Sequence, residues 1–170
     1  MKPCIGISAC LLGHTTRYDG ANRRSSVLCD EVGDTVTWVP ICPEVESGLG
    51  IPREPMQLIG TPENCRLIAL RTKADHTDRL LDWARNTLGG LSDIHGFVFK
   101  ARSPSCGVRD AEILPTQGAD PVRGSGLFAR EFRKRFPHLP VEDEQGLEDP
   151  RVRVEFLNRA ARIAGSGDGR

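Results

Sequence analysis

The composition of this chain limits the classes of protein to which it can belong. It has 170 residues, of which 38% are hydrophobic, enough for one globular domain with a buried core. Lys plus Arg and Asp plus Glu number 23 each, so the zero net charge gives no global indication of a nucleic-acid or membrane-surface partner. No apolar run approaches the roughly 20 residues of a membrane span, and the N-terminus lacks a signal-peptide pattern. We therefore expect a cytoplasmic protein without membrane attachment.

The first half of the chain predicts two buried strands joined by irregular segments. Residues 4–8 are apolar and predict a first strand. Residues 11–22 predict a loop, and a short helix follows over 23–32. The β-branched and aromatic run 35–39 predicts a second strand that ends before a proline. Residues 41–62, rich in proline and glycine, predict a long loop of the kind that is usually functional.

The middle of the chain predicts a strand, a helix and a further strand. Residues 67–70 predict a short strand at a sheet edge, and leucines at helical spacing predict a helix over 77–91. Residues 96–100 predict a third buried strand, followed by a tight loop over 102–107.

The last third predicts two helices. Residues 108–124 predict a loop or an irregular hairpin, and 126–136 predict a helix with three phenylalanines on one face. A short strand follows over 139–141. The last helix begins at Asp149, a favourable N-cap followed by proline.

Strands separated by helices indicate an α/β fold. We predict a single Rossmann-like domain over residues 1–164, with a mostly parallel sheet flanked by helices, and a flexible tail over 165–170. Such sheets bind ligands beyond the carboxyl ends of their strands. Cys10, Cys42 and Cys106 each follow one of the three buried strands, so we expect them to meet at one sheet edge.

Each of these cysteines lies in a short motif that also has an ordinary structural explanation. Ser8-Ala9-Cys10 could place a buried cysteine before a turn, and Ser103-Pro104-Ser105-Cys106-Gly107 could form a plain turn. Small residues around a cysteine also let the backbone approach a bulky inorganic group. Ile41-Cys42-Pro43-Glu44 is poorly explained by packing alone.

The pattern of potential ligands favours an iron–sulfur cluster with one open iron. The six cysteines form no CxxC pair, which argues against zinc ribbons and thioredoxin-type motifs. Iron–sulfur clusters normally take four cysteines, so three would leave one iron open as a Lewis acid for soft sulfur. The four histidines lack metal-site spacing, and we interpret them as solvated or capping residues. We interpret the remaining cysteines as small buried hydrophobic residues, namely Cys4, Cys29 and Cys65.

Over about residues 5–141 the chain resembles a known family. The motifs SACLLG, RYDG, ICPEVESGLGIPREP and KARSPSCG are similar to those of the bacterial thiouracil desulfidases, iron–sulfur proteins formerly classed as a domain of unknown function. The resemblance implies a Rossmann-like fold and a [4Fe-4S] cluster that is held by three cysteines and leaves one iron open. By motif, the ligands are Cys10, Cys42 and Cys106.

The resemblance also implies a reaction. The thiocarbonyl sulfur of a 2- or 4-thiouracil-type pyrimidine binds the open iron, and water attacks the ring carbon without redox change, giving uracil and hydrogen sulfide. Glu44 takes the acid–base role and Ser103 supplies a hydroxyl. Arg17 and Asp19 orient the substrate or hold their loop by an ion pair, and the structural role is favoured for Asp19. The residues that we assign to substrate binding are Ser8, Arg17, Asp19 and Ser105.

One position departs from the family pattern. Many members have a further cysteine directly before Arg-Tyr-Asp-Gly, where this chain has Thr16. Because three ligands and a free iron make the catalytic arrangement, we expect Thr16 to be tolerated.

Three alternatives remain open at this stage. A related branch of the family desulfurates 4-thiouridine in tRNA, and basic residues over 130–135 and 151–162 would suit RNA. We prefer to interpret them as solvated helix faces, and a small thiolated base or nucleoside as the partner, because tRNA-acting relatives often carry a further C-terminal domain. A non-catalytic metal or sulfur carrier would use the same cysteines. A cluster-free enzyme with Cys106 as nucleophile is disfavoured, since no histidine lies on the motif loops to activate it.

Overall fold

The computed structural model describes residues 1–167, and within them the chain forms eight strands and four α-helices. The strands are β1 Cys4–Ser8, β2 Thr37–Ile41, β3 Met56–Gly60, β4 Cys65–Ala69, β5 Phe97–Phe99, β6 Ala111–Leu114, β7 Val122–Gly124 and β8 Val141–Asp143. The helices are α1 Pro43–Glu46, α2 Thr77–Gly90, α3 Leu127–Arg135 and α4 Pro150–Ser166. Short 3-10 turns lie at Ala9–Leu12, Gly33–Thr35 and Gly146–Glu148, and a π-turn lies at Val27–Val32. None of the helices described here is both long and apolar enough to cross a membrane.

The first sheet confirms the predicted α/β fold with parallel strands. Its order is β2-β1-β5-β8, and all three pairings are parallel. From β1 the chain passes to β2 on one side and later to β5 on the other, so the strand order reverses at β1. The carboxyl ends at such a reversal form a crevice, which is where open α/β sheets bind ligands.

The second sheet was not indicated by the sequence. Its order is β4-β3-β6-β7, with β3 and β6 parallel and the outer pairs antiparallel. β3 lies inside the loop predicted over 41–62, so that prediction was wrong for its last third. The segment is a short run between Pro55 and Pro62, and only its pairing with β4 and β6 makes it a strand. β6 and β7 form the hairpin that was one of the two predictions for 108–124.

Helices cover both faces of the first sheet, as predicted. On one face Phe97 and Phe99 of β5 pack against Phe128 and Phe132 of α3, with the rings of Phe97 and Phe132 5.0 Å apart. On the other face Val98 belongs to a second apolar cluster with residues of α4. Each fully buried ring stabilises the fold by about 1.5–3 kcal/mol.

Several element boundaries differ from the predictions for identifiable reasons. β2 continues through Pro40 to Ile41, because it is an edge strand in which a missing N–H costs no ladder hydrogen bond. Asp149 caps α4 as predicted and accepts a hydrogen bond from the Arg151 amide at 2.8 Å. α4 continues to Ser166, past the predicted start of a tail at 165, and positions 168–170 of that tail lie outside the described residues.

Candidate functional site

A cavity of about 410 Å³ lies at the carboxyl ends of β1, β2 and β5. Cys10 reaches it from the 3-10 turn after β1, Cys42 from the residue after β2, and Cys106 from the turn after β5. The predicted meeting of the three cysteines at one sheet edge is therefore confirmed as geometry. Glu44 and Ser103 line the same cavity.

The Cys10 turn is held by backbone hydrogen bonds to the following loop. The Cys10 carbonyl accepts from the Arg23 amide at 2.9 Å, and the Leu11 carbonyl accepts from the Ser25 amide at 2.9 Å. The turn ends at Gly13, whose φ of 94° lies in the left-handed region that glycine adopts without strain. These hydrogen bonds fix Cys10 just beyond the carboxyl end of β1.

Cys42 and Glu44 are positioned by the short helix α1. Cys42 occupies the N-cap position of α1, and its amide donates to Glu46 Oε1 at 2.9 Å. Glu44 is only 8% exposed, and its Oε2 accepts from Cys42 Sγ at 3.6 Å. A buried carboxylate therefore lies beside a candidate ligand inside the cavity.

Arg53 ties this loop to the preceding one. Its Nη1 donates to the carbonyls of Thr16 and Gly50, each at 3.0 Å, and its Nη2 lies 4.0 Å from Glu44 Oε2. The Thr16 carbonyl also accepts from Cys42 Sγ at 3.8 Å. The sequence predicted no role for Arg53, because its contacts with Thr16 and Glu44 require the chain to fold back on itself. The position of Arg53 in the sequence does not indicate that reversal.

The Cys106 turn is closed by Ser103 and anchored by α3. Ser103 Oγ accepts from the amides of Ser105 at 3.2 Å and Cys106 at 3.0 Å. The Pro104 carbonyl accepts from the Leu127 amide at 3.1 Å, and the Ser105 carbonyl accepts from the next amide along α3 at 2.9 Å. The first amides of α3 therefore donate to carbonyls of the cysteine turn. Because the phenylalanine core fixes α3, it also fixes the position of Cys106.

The close approach between α3 and the cysteine turn gives a first prediction. A Cβ at Gly126 would lie 2.5 Å from Ser105 C and 2.8 Å from Cys106 N, both of them backbone atoms. We expect Gly126→Ala to lower the free energy of unfolding by about 1–3 kcal/mol and to reduce iron binding, because the turn must shift. Thermal unfolding and iron analysis measure both effects.

The matched control is Gly89→Ala near the end of α2, where a Cβ meets no heavy atom within 4 Å. It should leave iron binding unchanged and stabilise the chain by up to about 1 kcal/mol through helix propensity. A Gly126→Ala protein as stable as the Gly89→Ala protein would contradict the packing described here.

Ser8 joins two of the strand ends beneath the cavity. It is 3% exposed, and its Oγ accepts from the Lys100 amide at 2.9 Å. Burial raises the pKa of the Cys106 thiol, and the Ser8 hydroxyl lowers it by a smaller amount. The Lys100 ammonium forms an ion pair with Glu144 and donates to the Ala101 carbonyl at 3.0 Å.

Burial keeps the three thiols neutral when no cation is present. Loss of hydration is the main cause that raises the pKa of Cys10 and of Cys42 to about 11 each, and the nearby Glu44 carboxylate contributes to both increases. Burial raises the pKa of Cys106 well above its usual value. Thiolates at these positions need a positive charge within the cavity, and a bound metal supplies one.

These pKa values predict slow alkylation of the iron-free protein. A thiol with a pKa of about 11 is ionised in only about one molecule in a thousand at pH 8, so iodoacetamide should modify Cys10 and Cys42 slowly. The rate should rise about tenfold per pH unit between pH 8 and pH 10, because only the thiolate reacts. Peptide mass spectrometry measures the rate at each cysteine, and a rate that levels off below pH 9 would contradict the burial argument.

Of the residues assigned to substrate binding, Ser8 and Arg17 line the cavity, whereas Asp19 and Ser105 do not. Asp19 Oδ1 lies 3.5 Å from Arg17 Nε and accepts from the Ala21 amide at 3.0 Å, a bond that lowers the pKa of the Asp19 carboxyl. This geometry matches the favoured structural role of Asp19 in its loop. Ser105 is fully buried, and its hydroxyl has no hydrogen-bond partner among the described residues.

The other three cysteines lie outside the cavity lining. Cys65 is buried, as predicted, but Cys4 and Cys29 are only partly buried. Within residues 1–167, no group of three or more His, Cys, Asp or Glu side chains is arranged to hold a single metal ion. The cysteines of a cluster each ligate a different iron, so they do not need to converge on one point.

Comparison with known proteins assigns the chain to a family. A family model described as 2-thiouracil desulfurase matches residues 5–144. The chain belongs to the 2-thiouracil desulfurase family. Its motifs therefore led to the right family, and the matched range contains Cys10, Cys42, Cys106, Glu44 and Ser103.

Two relatives of this 2-thiouracil desulfurase family member are informative. The uncharacterised protein YbbK of Bacillus subtilis (strain 168) is 33% identical over 147 residues, covering 82% of this chain and 96% of YbbK. The solved structure of the [4Fe-4S]-dependent thiouracil desulfidase TudS superposes with a TM-score of 0.70 at 28% identity. That match covers 91% of this chain and 99% of TudS.

Proposed function

We propose that this family member is a [4Fe-4S]-dependent desulfidase that removes the thiocarbonyl sulfur of a thiolated pyrimidine. One water adds its oxygen to the ring carbon of 2- or 4-thiouracil, and the products are uracil and hydrogen sulfide, with no change of oxidation state. The observation that carries this proposal is the meeting of Cys10, Cys42 and Cys106 with Glu44 and Ser103 in one cavity. The likeness to TudS supports it.

The residues of the cavity fit such a cluster. Three thiols, from three separate strand ends, face the same 410 Å³ space, and three ligands leave one iron of a cubane without a protein ligand. When bound, the cluster would supply an open iron that acts as a Lewis acid with affinity for soft sulfur. Arg17, Arg53 and Lys100 line the same cavity and offset the negative charge of three thiolates.

Glu44 is the group best placed to move a proton. Its Oε2 accepts from the Cys42 thiol at 3.6 Å, so loss of that thiol proton leaves the oxygen free for another donor. A water that donates to Oε2 is activated to attack a ring carbon. Arg53 Nη2, 4.0 Å away, keeps the carboxylate facing the cavity.

Ser103 is suited to donate a hydrogen bond to the substrate. Its Oγ already accepts from two backbone amides, those of Ser105 and Cys106, which occupies both lone pairs. Only the hydroxyl hydrogen remains, and Ser103 lines the cavity. We infer that it binds and orients an acceptor atom of the pyrimidine.

The partner that we propose is a small thiolated base or nucleoside. Because thiouridine in tRNA offers the same thiocarbonyl, free 4-thiouridine and tRNA that contains it should be compared as substrates. Faster turnover of the tRNA, with an affinity that falls steeply with salt, would replace the small molecule as the substrate.

The experiment that tests the proposal is purification without oxygen, iron and sulfide analysis, and mixing with 2- or 4-thiouracil. We expect about four irons per chain and release of uracil and sulfide in equal amounts. Protein that stays free of iron after cluster reconstitution would overturn the cluster. Iron-loaded protein that binds added sulfide but leaves thiouracil unchanged would instead be a carrier.

A further inference from the structure

A second cavity, of about 470 Å³, lies at the amino end of β8. It is lined by Ser125, by Arg130, Arg133 and Lys134 of α3, by residues between Phe136 and Val141 that lead into β8, and by Arg159 of α4. Because all strands of this sheet are parallel, the amino end of β8 and the carboxyl ends near the cysteines lie at opposite ends of the strands. No residue lines both cavities.

This second cavity, hereafter the basic cleft, collects positive charge from two helices. Arg130, Arg133 and Lys134 of α3 line it together with Arg159 of α4, and no acidic side chain does. Basic residues in the last turn of a helix are expected from its dipole, which accounts for Arg133 and Lys134. It does not account for Arg130, which precedes that turn, or for Arg159 on another helix.

The charge of the basic cleft is only partly balanced. Lys134 Nζ donates to Glu131 Oε1 at 3.0 Å, whereas Arg130 Nε lies 3.9 Å from the same oxygen, too far for a hydrogen bond. Arg130 Nε and Nη1 are buried without an acceptor among residues 1–167. In the same part of the chain, Arg133 and Arg159 have no carboxylate oxygen within 4.0 Å. Because Arg133 and Arg159 line one cavity without a carboxylate partner, an anion bound there would stabilise their guanidinium groups.

Apart from Ser125, the remaining lining of the basic cleft is apolar. Phe136, Leu139 and Pro140 line the same cleft as the cations, so an organic group attached to the anion would find a hydrophobic surface. A phosphomonoester has nearly two negative charges and three terminal oxygens, which lets it pair with several guanidinium groups at once. A carboxylate has one charge and two oxygens and would leave part of the cleft unpaired.

We propose that the basic cleft is a phosphate-binding site for a small phosphomonoester, separate from the desulfidase cavity. Arg133 and Arg159 bind the phosphate from two helices, and Arg130 adds a third positive charge. The organic group packs against the apolar side chains. The site is independent of the proposed desulfidase activity and would exist whatever that cavity binds.

The test is calorimetric titration of the full chain, purified without oxygen, with adenosine 5′-monophosphate, inorganic phosphate and adenosine. A purine nucleotide is used because it does not resemble the pyrimidine substrate. We expect the nucleotide to bind, adenosine not to bind, and the double variant Arg133→Gln/Arg159→Gln to weaken binding about tenfold or more. Both side chains are exposed, so the variant should fold normally, which thermal unfolding verifies.

The matched control is Arg135→Gln/Arg162→Gln, which removes the same charge from the same two helices outside the cleft lining. Its affinity should stay within about twofold of the unmodified protein. Three results would each overturn the proposal. Both double variants could weaken binding equally, adenosine could bind as tightly as the nucleotide, or neither the nucleotide nor inorganic phosphate could bind at millimolar concentration. Tighter binding of the nucleotide than of inorganic phosphate would show that the apolar wall contributes, and equal affinity would identify phosphate alone as the ligand.

Discussion

Replacement of Cys10, Cys42 or Cys106 by alanine should abolish both iron binding and desulfidation. All three cysteines line one cavity, and burial keeps their thiols neutral unless a metal is bound. Because the other three cysteines lie outside this cavity, none of them can replace a lost ligand. We expect iron to fall from about four atoms per chain to less than about one, and turnover to fall by more than about a hundredfold. Even changes behind the ligands of a metal site cost about 10- to 100-fold. Iron analysis and sulfide release measure the two effects.

The control for these variants is Cys29→Ala. Cys29 is partly buried, lies outside the cavity lining, and its thiol donates to the Leu11 carbonyl at 3.6 Å. It should retain full iron and full activity. A Cys10→Ala protein that kept a complete cluster would refute the three-cysteine arrangement, and the side chain of Thr16, which also lines the cavity, would then need examination as a ligand.

Glu44→Gln should separate chemistry from iron binding. Glutamine keeps the size and shape of glutamate, and its amide oxygen can still accept from the Cys42 thiol before iron binds, so the cavity and its capacity for iron should be preserved. It cannot take a proton from water, and loss of a general base typically costs about 10²–10⁴-fold. We expect turnover to fall by that factor, with unchanged iron content and an unchanged visible spectrum.

Glu46→Gln is the matched control on the same short helix. Glu46 is exposed and accepts from the Cys42 amide at 2.9 Å, a bond that glutamine can also accept. Its turnover should remain near that of the unmodified protein. If Glu44→Gln kept normal turnover, Glu44 would be removed from the mechanism, and if it lost its iron, the role of Glu44 would be structural.

The convergence of the three motif cysteines could be predicted because it follows a local rule. β1 and β5 are short apolar runs, and each motif cysteine comes after a strand that local composition already indicates. Parallel strands place their carboxyl ends together, so Cys10, Cys42 and Cys106 had to meet once the sheet was parallel. The same rule brought Glu44 and Ser103, close neighbours of two of these cysteines, to the cavity.

Contacts between segments that are distant in sequence could not be predicted in this way. β3 is a strand only because β4 and β6 pair with it, and the Arg53 contacts to Thr16 and Glu44 require two loops to fold over each other. Asp19 and Ser105, two of the residues assigned to substrate binding, do not line the cavity, since proximity in sequence to a cavity residue does not fix the direction of a side chain.

The sequence by itself determined the α/β class, the family and the three cysteines, because strand periodicity and motif residues are local properties that survive without neighbours. Only the tertiary structure decided the second sheet, the Arg53 link and the basic cleft. Arg133 and Arg159 belong to separate helices, and their charges combine only where packing of α3 and α4 around the first sheet leaves both side chains on one cavity. The electrostatic energy of these charges depends on the distances between them in the folded chain, and the sequence alone does not give those distances.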